Sequence, residues 1–494
     1  MNITTKRAAG YVPCAVSAFA AGLAAYLFVF TNKLLNLDEI AGLFGKGESI
    51  SSGRWALALT SYVFPDVSMP WINGMLSLLL LTAAACLTVR IFEIKSTLWQ
   101  VLLGALLVVF PSQIVTFSYM FTCAPYALAV LLAVGSVYVL VCREGRWRYA
   151  ASCAMLALSL GIYQAYLSVA ASWCVVYLLK RTLDGEWDVR RIVRCGATCA
   201  TYLALSLAAY FVINKIVMLA AHTQYNSYAD ASFQTDIESM LFGLRVAYTA
   251  FLGYFYRGYY HLVASDASKL MHYLCLAVVG VELVLWFIKD RPQRARGVLA
   301  AVLLALLPLG VNCLYVISAQ RHTLMLYSFT AVYVLAAVAA ESLMARRHAP
   351  ARDVLALALA VIVGCNVLYA NRLYLKMKLE YENAYAFYSE LTARVKAAPG
   401  YGEGTMVLLT GDAHELLHAA DEIDTSDLVG IMEGLINVYS RSDFLTYYAG
   451  FDPPTFDWAQ WDAYGAAAEI DDMPIYPYDG SVKCIGDFVV VKLG

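Results

Sequence analysis

Charged residues are scarce in this sequence. Only 15% of its 494 residues are Asp, Glu, Lys or Arg, whereas 61% are hydrophobic. That balance excludes an ordinary soluble globular protein, in which about a quarter of the residues are charged. A helix that spans a bilayer needs about 20 apolar residues, and runs of that kind recur between Tyr11 and Ala370. The composition therefore indicates a multi-pass membrane protein.

Several chemical signatures are also missing. The sequence contains no Walker loop, no GxGxxG fingerprint and no HExxH motif, and nucleotide chemistry is therefore disfavoured. Only Cys484 of the twelve cysteines lies in the polar C-terminal part, so no disulfide or CxxC metal site is expected there. Acidic clusters at 421–427 and 471–472 lack EF-hand spacing and are interpreted as solvated surface. We expect no cofactor, no metal ion and no nucleic-acid partner.

The apolar runs predict about eleven membrane spans. The fifth and sixth spans form a short pair with basic residues on both flanks. The chain must therefore enter and leave this pair on the same side of the membrane. We expect a break near "SLGIYQAYLS" at 159–168 that is buried in protein or faces a watery cavity. The predicted spans are 11–31, 71–92, 97–116, 123–142, 149–162, 163–179, 195–217, 270–288, 297–317, 323–344 and 353–370.

Lys and Arg cluster in the short loops on one side of these spans, and the positive-inside rule assigns that side to the cytoplasm. The opposite face then receives Asp38, the turn "SAQRH" at 318–322 and the whole C-terminal part. The basic clusters lie at 143–148, 180–194, 289–296 and 345–352.

The long outer loop contains a segment, 236–262, with apolar residues at helical spacing and many tyrosines. It predicts a helix lying in the membrane interface. Tyr248, Tyr254 and Tyr256 suit the headgroup belt, and plain anchoring is favoured over stacking against sugars.

The 124 residues after Ala370 have another composition, with 20 acidic against 8 basic residues. They begin as a mixed helix that ends at a Pro-Gly pair. The stretches "TMVLLTGD" (405–412) and "DFVVVKL" (487–493) predict short buried strands, the last of them preceded by a turn at "DGSV". The fold class is therefore mostly α, with a polytopic membrane helical bundle at 1–370 and a small extracytoplasmic α/β domain at 371–494.

Charged residues on the predicted outer face suggest a reaction site. Singly, Asp38 and Glu39 fit a helix cap or first turn, and Arg54 fits an arginine that snorkels to headgroups. Together with a second outer pair, Arg321 and His322, they offer a base and a phosphate clamp at one membrane face. That combination suits transfer from a lipid-linked phosphate ester.

Four features together resemble the bacterial glucosyltransferase II (GtrII-like) family, a polytopic glycosyltransferase family of the GT-C group. They are the carboxylate pair after the first span, "SGRW" at 52–55, "SLGIYQAYLS" at 159–168 and the late "QRH" turn. The resemblance covers about residues 10–370 and rests on the order and placement of the motifs.

The resemblance implies a membrane glycosyltransferase in the bacterial cytoplasmic (inner) membrane. Its donor would be a polyprenyl-phosphate sugar, with glucose as the expected sugar, and its acceptor a cell-surface glycan on the extracytoplasmic side. Asp38 matches the family's catalytic base, and Glu39 would hold the acceptor or tune Asp38. In-line displacement would invert the anomeric centre.

The remaining candidate residues would bind substrate. Arg54 and Arg321 would stabilise the leaving phosphate, with His322 beside Arg321. Tyr163 and Gln164 lie at the predicted break, where they either pair with sugar hydroxyls or stabilise the break itself. The partners expected are thus the lipid-linked donor, the glycan acceptor and membrane lipids.

A transporter or flippase of lipid-linked glycans is the alternative. Inverted repeats with matched broken segments would favour a transporter, and the sequence has one broken pair. Charged residues along several spans would favour a flippase, and these spans are nearly free of them. A membrane-anchored sensor is a third and weaker alternative, because anchoring does not need so many spans.

Overall fold

The chain is mostly helical in the computed structural model. Before residue 345, the described α-helices other than the long apolar ones given below are Leu37–Ala41, Trp55–Thr60, Trp147–Ile162, Leu167–Asp184 and Ile237–Tyr256; Pro111–Ser118 is the C-terminal part of the apolar segment Thr97–Ser118. Short 3-10 helices span Ala9–Tyr11, Gln164–Tyr166, Cys313–Val316 and Thr323–Phe329. The structure describes residues 9–41, 49–60, 62–63, 68–227, 236–256, 266–318, 322–344, 349–413, 420, 423, 434–454 and 468–494.

Within the described residues, nine helices are long and apolar enough to cross a membrane. Each overlaps one of the predicted spans, and together they indicate a membrane protein. The count of eleven spans stays a prediction. The nine are Val12–Thr31, Pro70–Ile91, Thr97–Ser118, Met120–Cys142, Val189–Ala220, Asp266–Asp290, Arg294–Val311, Thr323–Ser342 and Pro350–Ala397.

The short helical pair is broken where the sequence predicts. One helix ends at Ile162 and the next begins at Leu167, with a 3-10 turn at Gln164–Tyr166 between them. Tyr163 is extended at the break, with φ −153° and ψ 114°. Most of the break is buried inside the protein, where irregular backbone at membrane depth is tolerated.

The predicted interfacial segment forms the helix Ile237–Tyr256. Tyr254 nonetheless does not fit a headgroup belt, because its ring is buried and stacks on Phe329 at 4.1 Å between centroids. Tyr248 is partly exposed and donates a hydrogen bond to the carbonyl of Ala305 at 3.0 Å. Packing against other helices therefore uses tyrosines that composition alone assigns to lipid headgroups.

The chain divides into two compact units. The first consists of Met1–Lys33, Phe44–Asn371 and Asp427–Val429. The second consists of Leu34–Leu43, Arg372–Ser426 and Gly430–Gly494. The short segment that carries Asp38 and Glu39 thus groups with the C-terminal part of the chain.

The second unit contains a three-stranded sheet. Its strands are Met406–Thr410 (β1), Val482–Ile485 (β2) and Phe488–Lys492 (β3), in the order β1-β3-β2. β1 pairs with β3 in parallel, and β2 pairs with β3 antiparallel. β1 and β3 confirm the two predicted strands. β2 was not predicted, although Gly486 and Asp487 are a typical two-residue hairpin loop.

Both faces of this sheet are covered. Val489 and Val491 of β3 pack in the larger core with Leu391 and Phe444, and Val490 packs on the other face with Leu408. Complete burial of the three central valines explains why this strand is a continuous apolar run. After residue 345, the helices among the described residues are Ala349–Ala397, Arg441–Tyr447 and Ala468–Asp471.

Candidate functional site

A tight turn in the first unit presents Arg54. The backbone N–H of Gly53 donates to the carbonyl of Ile50 at 2.9 Å, and that of Arg54 to Ser49 at 2.7 Å. Gly53 has φ +72°, and a Cβ there would lie 2.9 Å from the Tyr210 hydroxyl. The turn therefore requires glycine for its left-handed backbone and for the close approach of Tyr210.

Two tyrosines hold the guanidinium of Arg54. It lies over the Tyr163 ring, 5.2 Å from the centroid, and its Nη1 donates to the Tyr126 hydroxyl at 3.2 Å. The Tyr126 and Tyr163 rings stack at 4.6 Å with 13° between their planes. A half-buried arginine on an aromatic face is held in one orientation while its charge is kept.

Gln164 fastens the same turn. Its Nε2 donates to the carbonyl of Ser52 at 3.2 Å and to the Tyr210 hydroxyl at 3.0 Å. Tyr210 in turn donates to the carbonyl of Gly53 at 3.0 Å. Gln164 thus connects the broken helical pair to the turn that carries Arg54.

Trp55 and Gly161 lock these two motifs together. A Cβ on Gly161 would lie only 2.5 Å from Cε2 of Trp55, so the indole occupies the space that a side chain would need. The structure therefore brings "SGRW" and "SLGIYQAYLS" into direct contact, with Arg54, Tyr163 and Gln164 in one cluster.

Residues that the sequence analysis missed extend this cluster. The backbone N–H of Asn226 donates to Ser51 at 3.0 Å, and its Nδ2 donates to the Ser52 hydroxyl at 3.1 Å. Next to it, Tyr225 accepts from Asn214 at 2.7 Å and borders a cavity of about 550 Å³. Burial raises the pKa of Tyr225, which keeps its hydroxyl neutral. No motif in the sequence signals these contacts.

Gln113 and Tyr166 are among the buried residues of the first unit whose polar side-chain atoms lack hydrogen bonds to the described residues. Gln113 is 1% exposed, and neither its amide nitrogen nor its amide oxygen has a partner in that part of the chain; the same holds for the Tyr166 hydroxyl. Both lie on elements that pack against Thr323–Phe329. An unsatisfied buried polar group costs about 1–3 kcal/mol, so these groups suit a polar ligand or ordered water.

Asp38 and Glu39 lie in the second unit, in the first turn of the helix Leu37–Ala41. Of the two structural interpretations, helix cap or first turn, the first turn is the one observed. The cap is Asn36, whose Oδ1 accepts from the Glu39 N–H at 2.8 Å. Asp38 is exposed and accepts a hydrogen bond from the Tyr439 hydroxyl at 3.4 Å. Glu39 is 0% exposed.

The two carboxylates influence different phenols. Burial, and then the charge of Asp38, raises the pKa of Tyr439. Burial, and then the charge of Glu39, raises the pKa of Tyr448. Both phenols therefore stay protonated at neutral pH. The adjacent carboxylates thus have separate surroundings, one open and one enclosed.

Arg321 and His322 are the second pair of residues predicted to bind phosphate. Arg321 lies outside the described residues. His322 is half-buried, and its carbonyl accepts from the N–H of Met325 at 2.9 Å where the 3-10 helix Thr323–Phe329 begins. The phosphate-clamp role of both residues stays a prediction.

No metal centre is found among the residues that the structure describes: none of their His, Cys, Asp and Glu side chains form a group of three suited to a metal ion. The acidic residues of the cluster at 421–427 lie outside that part of the chain.

The family described as Glucosyl transferase GtrII matches residues 27–340. This range includes Asp38, Glu39, the Arg54 cluster and His322, and it ends before the C-terminal part. Comparisons with curated proteins and with solved structures give no match.

Proposed function

The chain belongs to the GtrII glucosyltransferase family, and from this premise we propose that it transfers glucose from a polyprenyl-phosphate donor to a cell-surface glycan. The observation that carries the proposal is the family match itself, because it spans Asp38, Arg54 and Gln164. The reaction would take place at the extracytoplasmic face of a bacterial inner membrane, within a GT-C type scaffold and without a cofactor.

Asp38 is the proposed general base. An acceptor hydroxyl attacks C1 of the sugar and gives its proton to the Asp38 carboxylate, while the bond from C1 to the phosphate oxygen breaks and its electron pair leaves with the polyprenyl phosphate. In-line attack inverts C1. Exposure of Asp38 and burial of Glu39 support this assignment, because an acceptor can reach only an open carboxylate. Glu39 is proposed to hold the first turn around Asp38.

Arg54 is the proposed phosphate ligand. Negative charge grows on the bridging oxygen as C1–O cleavage proceeds, and a fixed cation stabilises that charge. The contacts of Arg54 with Tyr126 and Tyr163 support this role, since they fix its orientation before the donor arrives. Arg321 and His322 are proposed as further phosphate contacts.

The break between the helices is proposed to support this cation. The Tyr163 ring is occupied by Arg54 and Tyr126, and Gln164 is bonded to the turn at Ser52. These contacts favour a positioning role for both residues over direct contact with sugar hydroxyls. Gln113 and Tyr166, whose polar atoms lack partners in the described part of the chain, are the better candidates to bind the sugar.

The C-terminal part is proposed to be extracytoplasmic. The basic loops support this topology through the positive-inside rule. The hydrogen bond from Tyr439 to Asp38 also supports it, because segments that fold into one compact unit lie on the same side of a bilayer.

A transfer assay tests the proposal. Purified protein is incubated with radiolabelled polyprenyl-phosphate glucose and with polysaccharide extracted from cells that lack the protein. We expect label to appear in polysaccharide and to depend on Asp38. Binding of donor without turnover, combined with movement of the donor across vesicle membranes, would instead support the flippase alternative.

A further inference from the structure

The second unit contains a cavity of about 570 Å³. One wall is the edge strand β1, and the other is the helix Arg441–Tyr447 with the residues that flank it. Cavities of this size accommodate small ligands or a few sugar units, and a few polar groups within a largely apolar lining set their specificity. The family match ends at residue 340 and covers none of this cavity.

The lining suits a carbohydrate. Tyr439 and Tyr447 line the cavity and are 69% and 51% exposed, and a tyrosine ring suits the apolar face of a sugar. Ser442, Asp443 and Thr446, which carry polar side chains, line the same cavity. Flat aromatic rings beside hydrogen-bonding groups complement the two kinds of surface that a pyranose presents.

The walls are held by internal hydrogen bonds. Arg441, which is largely buried, donates from Nη2 to the Leu409 carbonyl at 2.8 Å and from Nη1 to Gly411 at 3.3 Å. The N–H of Val407 on β1 donates to Pro454 at 3.1 Å. A cavity fixed before binding loses little entropy when a ligand enters.

Tyr439 links the cavity to the proposed base. Tyr439 lines the cavity, and its hydroxyl donates to Asp38 at 3.4 Å. Leu35 and Ile40, on either side of Asp38, are buried in the core of the same unit. A ligand that stacks on Tyr439 would therefore have hydroxyl groups near the Asp38 carboxylate.

We propose that this cavity binds the glycan acceptor, and that the bound segment is uncharged. The assignment rests on the proposed function, because it takes Asp38 as the base. Residues 371–494 hold 20 acidic against 8 basic residues, and Asp443 and Asp452 line the cavity. Among the described lining residues Arg441 is the cation, and it is bonded to backbone carbonyls. A polyanionic acceptor would be repelled there.

Equilibrium binding without donor tests the cavity. Full-length protein in nanodiscs is titrated with fluorescently labelled polysaccharide from cells that lack the protein, after anion exchange into neutral and anionic fractions. We expect the neutral fraction to bind and Tyr447→Ala to raise its Kd about tenfold, which corresponds to about 1.4 kcal/mol. Tyr478→Ala is the matched control, because Tyr478 is 72% exposed in the same unit and does not line the cavity.

The outcomes separate the two proposals. Equal Kd values for the wild type and Tyr447→Ala, or binding of the anionic fraction alone, would overturn the acceptor site. Absence of wild-type binding would do the same. Tyr447-dependent binding of neutral polysaccharide, without glucose transfer when donor is added, would leave the cavity as a glycan site and overturn the proposed glucosyltransferase reaction alone.

Discussion

Replacement of Asp38 by asparagine separates base catalysis from a structural role. The substitution preserves size and removes the proton acceptor. General-base assistance is worth about 10²–10⁴ in rate, which equals about 3–5 kcal/mol of barrier at 1.36 kcal/mol per factor of ten. We therefore expect glucose transfer by Asp38→Asn to fall by a factor in that range.

Stability should change far less. Asn36, not Asp38, caps the helix Leu37–Ala41, so the cap remains intact. The asparagine carbonyl can still accept from Tyr439. The lost charge in the first helical turn is worth about 0.3–1 kcal/mol. Thermal unfolding of the variant should therefore stay close to that of the wild type.

Initial rates of transfer at saturating donor and acceptor, measured beside thermal unfolding, check both expectations. Glu39→Gln is the matched comparison. The Glu39 carboxylate is 0% exposed, so its replacement should reduce the transfer rate less than Asp38→Asn does. A fully active Asp38→Asn protein would refute Asp38 as the base. An inactive Glu39→Gln protein beside an active Asp38→Asn protein would move that role to Glu39.

The other predictions concern the Arg54 cluster, the Tyr439 contact and the topology. Arg54→Lys keeps the charge and loses the planar fork that contacts Tyr126, so we expect transfer at limiting donor to fall at least about tenfold. The control Arg245→Lys, at an exposed arginine, should leave the transfer rate unchanged. Equal transfer rates for the two variants would contradict the role of Arg54 as phosphate ligand. Gly53→Ala forces a left-handed alanine against Tyr210, so we expect a loss of about 1–3 kcal/mol in unfolding free energy with a matching loss of transfer, and unchanged thermal unfolding would contradict it. Tyr439→Phe keeps the ring and removes the bond to Asp38, so kcat should fall while the acceptor KM stays constant; a change in KM alone would argue against a positioning role. A cysteine in place of the exposed Tyr478, in a Cys484→Ser background, should react with a membrane-impermeant reagent in intact spheroplasts, and reaction only after lysis would reverse the topology.

Local sequence was sufficient for much of the helical architecture. An apolar run of about 20 residues forms a helix in a membrane whichever neighbours it has, because its backbone must be satisfied internally. The nine long apolar helices, the break at Tyr163 and the strands β1 and β3 were therefore predictable. β2 was missed because "VKCI" is short and only partly buried, and its hairpin loop is the stronger signal.

Motif spacing also identified the family and several candidate residues. The order of the carboxylate pair, "SGRW", "SLGIYQAYLS" and the late "QRH" turn gave the resemblance that the family match over 27–340 confirms. The local sequence could not give the partners of those residues. Arg54 contacts Tyr126 and Tyr163 through packing of separate helices, and no short-range pattern encodes that packing.

Tertiary structure alone decided where the carboxylates belong. The segment Leu34–Leu43 follows the first span in sequence, yet Leu35 and Ile40 pack in the core of the C-terminal unit, and Asp38 bonds to a tyrosine 401 residues later. Burial of apolar side chains depends on which surfaces meet in space, a long-range property that adjacent residues do not specify. Sequence by itself determined that two carboxylates and an arginine follow the first span; folding determined that Asp38 is open, that Glu39 is enclosed and that Tyr439 lies against Asp38.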